Sequence, residues 1–225
     1  DNVEFFKKAF VEIGEAIGAY DKIVAAGLQA LGDEVVPALD GAIEGMHRIE
    51  AIVASMKEYA HRSTLKEPAR LADIIQATST IARSEWRYVA DMSIDVDAAL
   101  PAVPVMRDEM SQVLLNLIVN ASHAIRERHG PMNELGHIAI SAMRDGRDAV
   151  IRVTDDGAGM TSDVKAHLFE RFFTTKPVGV GTGQGLALCH DVVVKHHGGS
   201  IAVESEVGVG TTFVLRVPLG TTAVA

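Results

Sequence analysis

The feature that most constrains this chain is a long helical pattern over 106–128. Met110, Val113, Leu114, Leu117, Ile118, Ala121 and Ile125 recur at helical spacing until His129-Gly130-Pro131 stops the run. An apolar stripe of that length must be buried against another layer. The chain beyond it alternates with a period of two. Segments 137–143 and 149–154 predict a hairpin around Arg144-Asp145-Gly146-Arg147, and 200–205 with 212–217 a second around Gly208 and Gly210. Ahead of the long helix, Leu71, Ile74, Ile75, Thr78 and Ile81 give a short amphipathic helix. The stretch 89–96 reads as a strand with Val89, Met92, Ile94 and Val96 inward, and Pro101 and Pro104 mark a loop. A last helix, 185–196, ends at Gly198-Gly199. The expectation for 68–220 is an α/β sandwich: a mixed sheet covered on one face by helices.

The first part of the chain has a different pattern. Val3, Phe6, Phe10, Ile13, Ile17, Tyr20, Val24 and Leu31, then Leu39, Ala42, Met46, Ile49, Val53, Met56 and Ala60, recur at three and four. They predict a helical hairpin over 1–64, with Gly32-Asp33 at its turn and Pro37 in the first turn of its second helix. Ile43, Ile52 and Tyr59 widen the stripe beyond what two helices cover, which favours a homodimeric four-helix bundle over packing within one monomer. Residues 63–68 read as a linker ended by Pro68. The fold class expected for the whole chain is α+β.

Composition narrows the function classes. The 225 residues are 48% hydrophobic and 23% charged, enough for a sizeable core. A net charge of -9 argues against a nucleic-acid groove. Cys189 is the one cysteine, so no internal disulfide forms, in keeping with a reducing compartment. No apolar run is long enough to span a membrane, and no signal peptide is visible. The start at Asp1 without Met suggests a fragment of a longer, cytoplasmically placed protein whose full length allows a membrane anchor.

The chemistry concentrates in 155–186. Asp155-Asp156-Gly157-Ala158-Gly159-Met160 opens it, Phe169-Glu170-Arg171-Phe172-Phe173-Thr174-Thr175-Lys176 fills it, and Gly179-Val180-Gly181-Thr182-Gly183-Gln184-Gly185-Leu186 closes it. Glycines admit positive φ and close backbone approach, and successive N–H groups cradle phosphate. Asn116 and Asn120 lie four apart and so share a face of the long helix. An Asn oxygen is a hard ligand suited to Mg²⁺.

The segment 110–121, Met110-Ser111-Gln112-Val113-Leu114-Leu115-Asn116-Leu117-Ile118-Val119-Asn120-Ala121, resembles the N box of sensor histidine kinases, members of the gyrase, Hsp90, histidine kinase and MutL superfamily. Asp155–Gly159 resembles the G1 box, 169–176 the F box and 181–186 the G2 box. His197-Gly198-Gly199-Ser200-Ile201 with 208–213 resembles the closing G3 region. The form Phe172-Phe173-Thr174-Thr175-Lys176 is similar to the nitrogen-regulatory branch. The resemblance implies ATP and Mg²⁺ as ligands. Asp155 would accept a hydrogen bond from the adenine amine, with Gly157, Gly159 and Met160 beside the purine. Asn120 would hold the metal, with Asn116 next to it. His123, where relatives often place Lys, and Lys176 and Arg171 would face phosphate, although Arg171 has a structural ion pair as its alternative. Gly181, Thr182, Gly183, Gly185 and Leu186 would supply backbone N–H groups, and Phe172 would belong to a mobile cover. Gln184 departs from the usual Leu, a change expected to touch packing of the cover.

The resemblance also implies a reaction and partners. The γ-phosphoryl of ATP would pass to a histidine and then to an aspartate on a response-regulator receiver domain. Relatives carry the phosphoacceptor in a His-Glu-x-x-x-Pro setting on the first hairpin helix. That setting is absent here: His47 and His61 lie on the second helix. The chain is therefore expected to bind ATP without phosphorylating itself, with no catalytic residue in the fragment. The alternatives are a non-catalytic dimerisation and regulatory module, and a hydrolytic ATPase. The latter needs a Glu where this chain has Asn116, a poor base.

Other motifs point to nothing. Gln184 breaks a G-x-G-x-x-G pattern, and no Walker A lysine is present. Asp91, Ser93, Asp95 and Asp97 lack the Gly and Glu of a calcium loop. His196-His197 reads as a solvated helix end, and Cys189 as a core residue.

Overall fold

The computed structural model describes residues 65–130, 135–176 and 183–220. All belong to the second of two units into which the chain divides, His61–Ala225. The hairpin expected over 1–64 lies outside the described residues, as do Gly181 and Thr182. The elements run β1 (Glu67–Ala69), α1 (Leu71–Ile81), α2 (Arg83–Trp86), β2 (Ala90–Val96), β3 (Val103–Val105) and α3 (Arg107–His129). The chain continues through β4 (Gly136–Asp145), β5 (Asp148–Asp155), α4 (Ser162–His167), α5 (Gly185–His190), a π-helical segment (Asp191–His196), β6 (Ser200–Glu206) and β7 (Gly210–Pro218).

The main sheet has five strands in the order β2-β4-β5-β7-β6. Only the β2–β4 pair is parallel, so the sheet is mixed. Helices α1 and α3 and the π-helical segment pack on one face, as the period-two pattern requires. The register aligns the inward residues in three rows. One row is Val96, Ala142, Ile151, Leu215 and Ile201; the next is Ile94, Ile140, Val153, Phe213 and Val203. The third begins as the others do, with Met92 and Ile138, then turns polar at Asp155, Thr211 and Ser205. Helix α3 supplies the opposing layer through Met110, Val113, Leu114, Leu117, Ile118 and Ile125, all buried. It is 23 residues long, carries Asp108 and Glu109 in its first turn, and stops at Gly130 with φ 69. Those acidic residues favour the helix N-terminus and the left-handed glycine ends it.

Several sequence expectations change. The linker reading of 63–68 and the loop at Pro104 give way to a two-stranded antiparallel ladder, β1 with β3. Pro68 stands opposite Pro104 in that ladder, so the two residues without an N–H share a position that asks neither to donate. The short helices α2 and α4 have too few residues to produce a periodic signal. The single helix expected over 185–196 becomes α-helix followed by π-helix, with the His197 N–H bonded to the Val192 carbonyl at 3.0 Å.

The end of that π segment corrects another reading. His197 is buried rather than solvated. Its Nδ1 donates to the Val192 carbonyl at 2.9 Å, and its Nε2 accepts from the Met106 N–H at 3.0 Å. The neutral ring thus ties the π-helical segment to the start of α3. His196 does reach the surface, paired with Glu109 at 2.8 Å. Cys189 is fully buried, as expected, and its thiol is pushed up to about 12 by desolvation.

Burial lowers the pKa of His197, opposed by its bond to Val192. The unfolded chain therefore takes up this proton first as pH falls below about 6.5, and stability is lost as pH drops through the folded pKa. Urea unfolding between pH 7.5 and 5.5 should show this loss. His197→Gln should be less stable at pH 7.5 but with a flatter pH dependence; an identical slope in both proteins would exclude the role.

Candidate functional site

Asp155 ends β5 on the helix-facing side, in the row where Val153 and Ile151 precede it. It is 6% exposed. Its carboxylate accepts from the Gly157 N–H at 2.9 Å and also from the Thr211 backbone. Desolvation outweighs these bonds, with Asp156 adding repulsion, and its pKa is raised from 3.8 to about 6. A carboxyl so placed holds an acceptor in a dry wall with little else to bind.

The polar row continues through two residues that the sequence reading does not single out. Thr211 is buried beside Asp155, and its hydroxyl lies 2.9 Å from that of Ser205. The Ser205 hydroxyl donates to the Gly210 carbonyl at 3.0 Å and accepts from the Met160 N–H at 2.9 Å. Their signal is present in the alternation: Thr211 lies two before Phe213, and Ser205 two after Val203.

The glycines after Asp155 are required by neighbouring backbone. A side chain on Gly157 would sit 2.6 Å from the Ala124 backbone of α3. One on Gly159, at φ 69, would lie 1.9 Å from the Glu206 carbonyl oxygen. The Ala158 N–H bonds the Ala124 carbonyl at 3.0 Å, and Arg128 bonds the carbonyls of Asp156 and Val209. The turn is thereby pinned between α3 and the β6–β7 turn.

Helix α3 then acts as a ruler. Ala124 marks the Asp155 end; Asn120 stands four residues earlier, about 6 Å along the axis at 1.5 Å per residue, and Asn116 another turn back. Lys176 reaches this middle region. Its ammonium donates to Asn120 Oδ1 at 3.4 Å and lies 2.6 Å from His123 Nδ1. Burial lowers the pKa of Lys176, with Glu127 opposing. Burial, then Lys176 and Arg126, lower that of His123, with Glu85 opposing.

Asn116 has a different set of partners. Its Nδ2 donates to the Gly185 carbonyl at 3.3 Å, and its Oδ1 accepts from Gln112 at 3.3 Å. It joins α3 to the start of α5, where Leu186 packs against the core. Arg171 takes the ion-pair alternative, bonding Asp191 at 2.9 Å. Phe172 is 71% exposed and has φ 68. Its N–H bonds the Gly183 carbonyl at 2.9 Å, and a Cβ on Gly183 would lie 2.4 Å from the Phe172 backbone. The two chain passages therefore cross at a narrow neck. The structure thus groups Asp155, Gly157, Gly159 and Met160 at one end of α3, Asn120, His123 and Lys176 in the middle, and Asn116 with Gly185 beyond.

Residues 106–221 match the profile of the histidine kinase-, DNA gyrase B-, and HSP90-like ATPase family, half of the chain. The chain belongs to this ATPase family. Related sequences include the sensor histidine kinase ZraS of Escherichia coli K12, 41% identical over 123 residues, covering 55% of this chain and 24% of ZraS. The sensor kinase CckA of Brucella abortus is 31% identical over 186 residues, covering 78% of this chain and 19% of CckA. The chain therefore spans about a quarter or less of these curated relatives. Among solved structures, the nucleotide-free catalytic domain of the histidine kinase ThkA superposes with a TM-score of 0.58 at 27% identity, covering 68% of this chain and 97% of that one. ThkA in complex with the response regulator TrrA gives a TM-score of 0.60 at 26% identity, covering 78% and 48%. The ATPase-family fold accounts for the helix-on-sheet arrangement and for a nucleotide as the ligand class.

Burying the charge of Asp155 costs the family's fold here about 3 kcal/mol above pH 6, from the shift between 3.8 and about 6. Asp155→Asn should therefore raise the unfolding free energy at pH 7.5, and the gain should shrink as pH falls from 6 toward 4. Paired denaturation curves at the two ends of that range test it; a destabilised variant at pH 7.5 would contradict the assignment.

Proposed function

We propose that this chain is the ATP-binding catalytic part of a two-component sensor histidine kinase. The observation that carries the reading is a buried carboxylate at the end of β5, whose turn packs on Ala124 of α3, with an amide–ammonium cluster one turn along that helix. The carboxylate of Asp155 accepts from the exocyclic amine of adenine, which only donates; guanine presents an oxygen there. Thr211 and Ser205 fix the floor beside it. The ammonium of Lys176 and the amide of Asn120 face the triphosphate.

The Asn120 oxygen, a hard acceptor that bonds the Lys176 ammonium, supports a place for Mg²⁺ in this reading. Mg²⁺ held there would supply positive charge against the phosphates; the protein's part is positioning and charge neutralisation. Asn120 would hold it. Asn116, bonded to Gly185 and Gln112, supports this reading by fixing the turn that leads into α5. Gly181, Thr182, Gly183, Gly185 and Leu186 remain assigned to the phosphate end through their N–H groups, and Phe172 and Arg171 to its cover. Arg171 serves there by its pair with Asp191 rather than by touching phosphate.

In the whole protein the phosphoryl group goes to a histidine and then to an aspartate of a receiver domain. The complex of ThkA with a response regulator supports that class of partner. Residues 1–64 form the dimerising hairpin in this reading, and the domain works in the cytoplasm. Among the described residues no helix is long and apolar enough to cross a membrane.

Three outcomes test the proposal. Calorimetry with Mg²⁺ should show ATP binding well in preference to GTP, and Asp155→Asn should weaken it at least about tenfold, the scale of a lost bond to a charged group. Below pH 6 the amine must displace a proton from Asp155, so ATP affinity should fall with pH and binding should release protons, read from titrations in buffers of different ionisation enthalpy. Asn120→Asp should abolish phosphoryl transfer to a separately supplied histidine-bearing hairpin, while the chain alone should acquire no acid-labile label from ATP. Transfer at an unchanged rate in the Asn120 variant would return the site to a regulatory module.

A further inference from the structure

We infer that His123 is a positioning residue: as a neutral acceptor it holds the Lys176 ammonium beside Asn120, so that the triphosphate meets a cation carried by the F-box segment and not by α3. This rests on the nucleotide site proposed above and assigns a role within it.

The geometry leaves little choice of roles. The Lys176 ammonium has only donors, so in the 2.6 Å contact the His123 Nδ1 must accept. The ring is then the tautomer with hydrogen on Nε2. A second bond, to Asn120 Oδ1 at 3.4 Å, orients the same ammonium along α3. Lys176 is half-buried and lacks any carboxylate within ion-pair distance among the described residues. A half-buried cation whose bonded partners are two neutral acceptors, with the Glu127 carboxylate acting only from beyond ion-pair distance, keeps charge available for a polyanion. Burial, then Lys176 and Arg126, disfavour a protonated ring at 123, with Glu85 opposing, in keeping with the acceptor state that the contact requires.

Position 123 is also the right place for such an acceptor. It lies three residues after Asn120, on the same side of α3, so one ammonium can touch both. A lysine at 123 would repel Lys176 from this position. Histidine instead converts a point on the helix from donor to acceptor and moves the cationic duty to residue 176. Glutamine keeps an acceptor oxygen at similar reach, whereas alanine keeps none.

The pair is tested first without nucleotide. Nitrogen-15 correlation spectra of the histidine rings should show His123 unprotonated at Nδ1 and protonated at Nε2. Lys176→Ala should shift it toward a mixture of tautomers. A ring protonated at Nδ1 in the parent chain, or one unmoved by Lys176→Ala, would overturn the pairing whatever happens with ATP. Calorimetry with Mg-ATP then reads the consequence. Lys176→Ala and His123→Ala should each weaken ATP binding about tenfold. The double variant should bind no more weakly than Lys176→Ala, and His123→Gln should recover most of the loss. Adenosine binding, followed by chemical-shift change, should stay within twofold in all variants and shows that the fold is intact. Independent, additive losses, or wild-type affinity in His123→Ala, would reject the positioning role. No ATP binding by the parent chain would instead reject the function proposed above, while the ring spectra would still decide the pairing.

Discussion

The structure depends on a carboxylate placed where the sheet's own geometry demands a core residue. Asp155 shares a face with Ile151 and Val153 because strand side chains alternate, and it faces α3 because that face is buried. Moving it to solvent would need a one-residue slip of β5, which would expose Ala149, Ile151 and Val153 as well. The fold therefore carries the cost of a desolvated acid in return for a fixed acceptor. The surrounding features arise from holding it there: the polar row through Thr211 and Ser205, the turn locked on Ala124, and the Arg128 contacts to two carbonyls.

Helix α3 couples that end of the domain to the other. Its buried side is continuous from Met110 to Ile125, so it cannot tilt without opening the core. Asn116, Asn120, His123 and Ala124 ride on the adjacent, half-buried side, with separations set by the helix rise. Distances between the Ala124 contact near the acid, the Asn120 amide and the start of α5 are thus set by the helix backbone, and the Lys176 ammonium is brought to that scale from the F-box segment. At the N-terminal end of α3, the neutral ring of His197 anchors the π-helical segment, and with it the preceding α5.

Much of this is readable from the sequence, for a physical reason in each case. The long helix, the two hairpins and the helix-covered sheet are legible from strong periodicity and from Gly130, Gly146 and Gly208, whose positive φ marks real turns. Asp155, Asn116 and Asn120 stand out as polar groups at apolar positions. Harder to see are features that depend on contacts distant in sequence. The β1–β3 ladder escapes because proline argues against a strand unless the partner strand offers proline too. The burial of His197 depends on Met106, which lies ninety-one residues away. Sequence position alone turns His123 toward phosphate, because its Lys176 partner, fifty-three residues on, cannot be inferred from spacing. Residues 1–64 carry a clear heptad-like pattern but lie outside what the structure describes.

The neck at Phe172 and Gly183 separates what happens inside the loop from what happens to the domain. The passage leaving the F-box turn and the passage returning toward α5 are fastened to each other by the bond from the Phe172 N–H to the Gly183 carbonyl. Closing a loop whose ends are fixed costs only a logarithm of its length. The cost of length in that stretch therefore falls on the placing of Lys176 beside α3, while the sheet and helices below are spared it. The crossing itself is held by a phenylalanine at positive φ against a glycine at positive φ, so a side chain at 183 would part the two backbones.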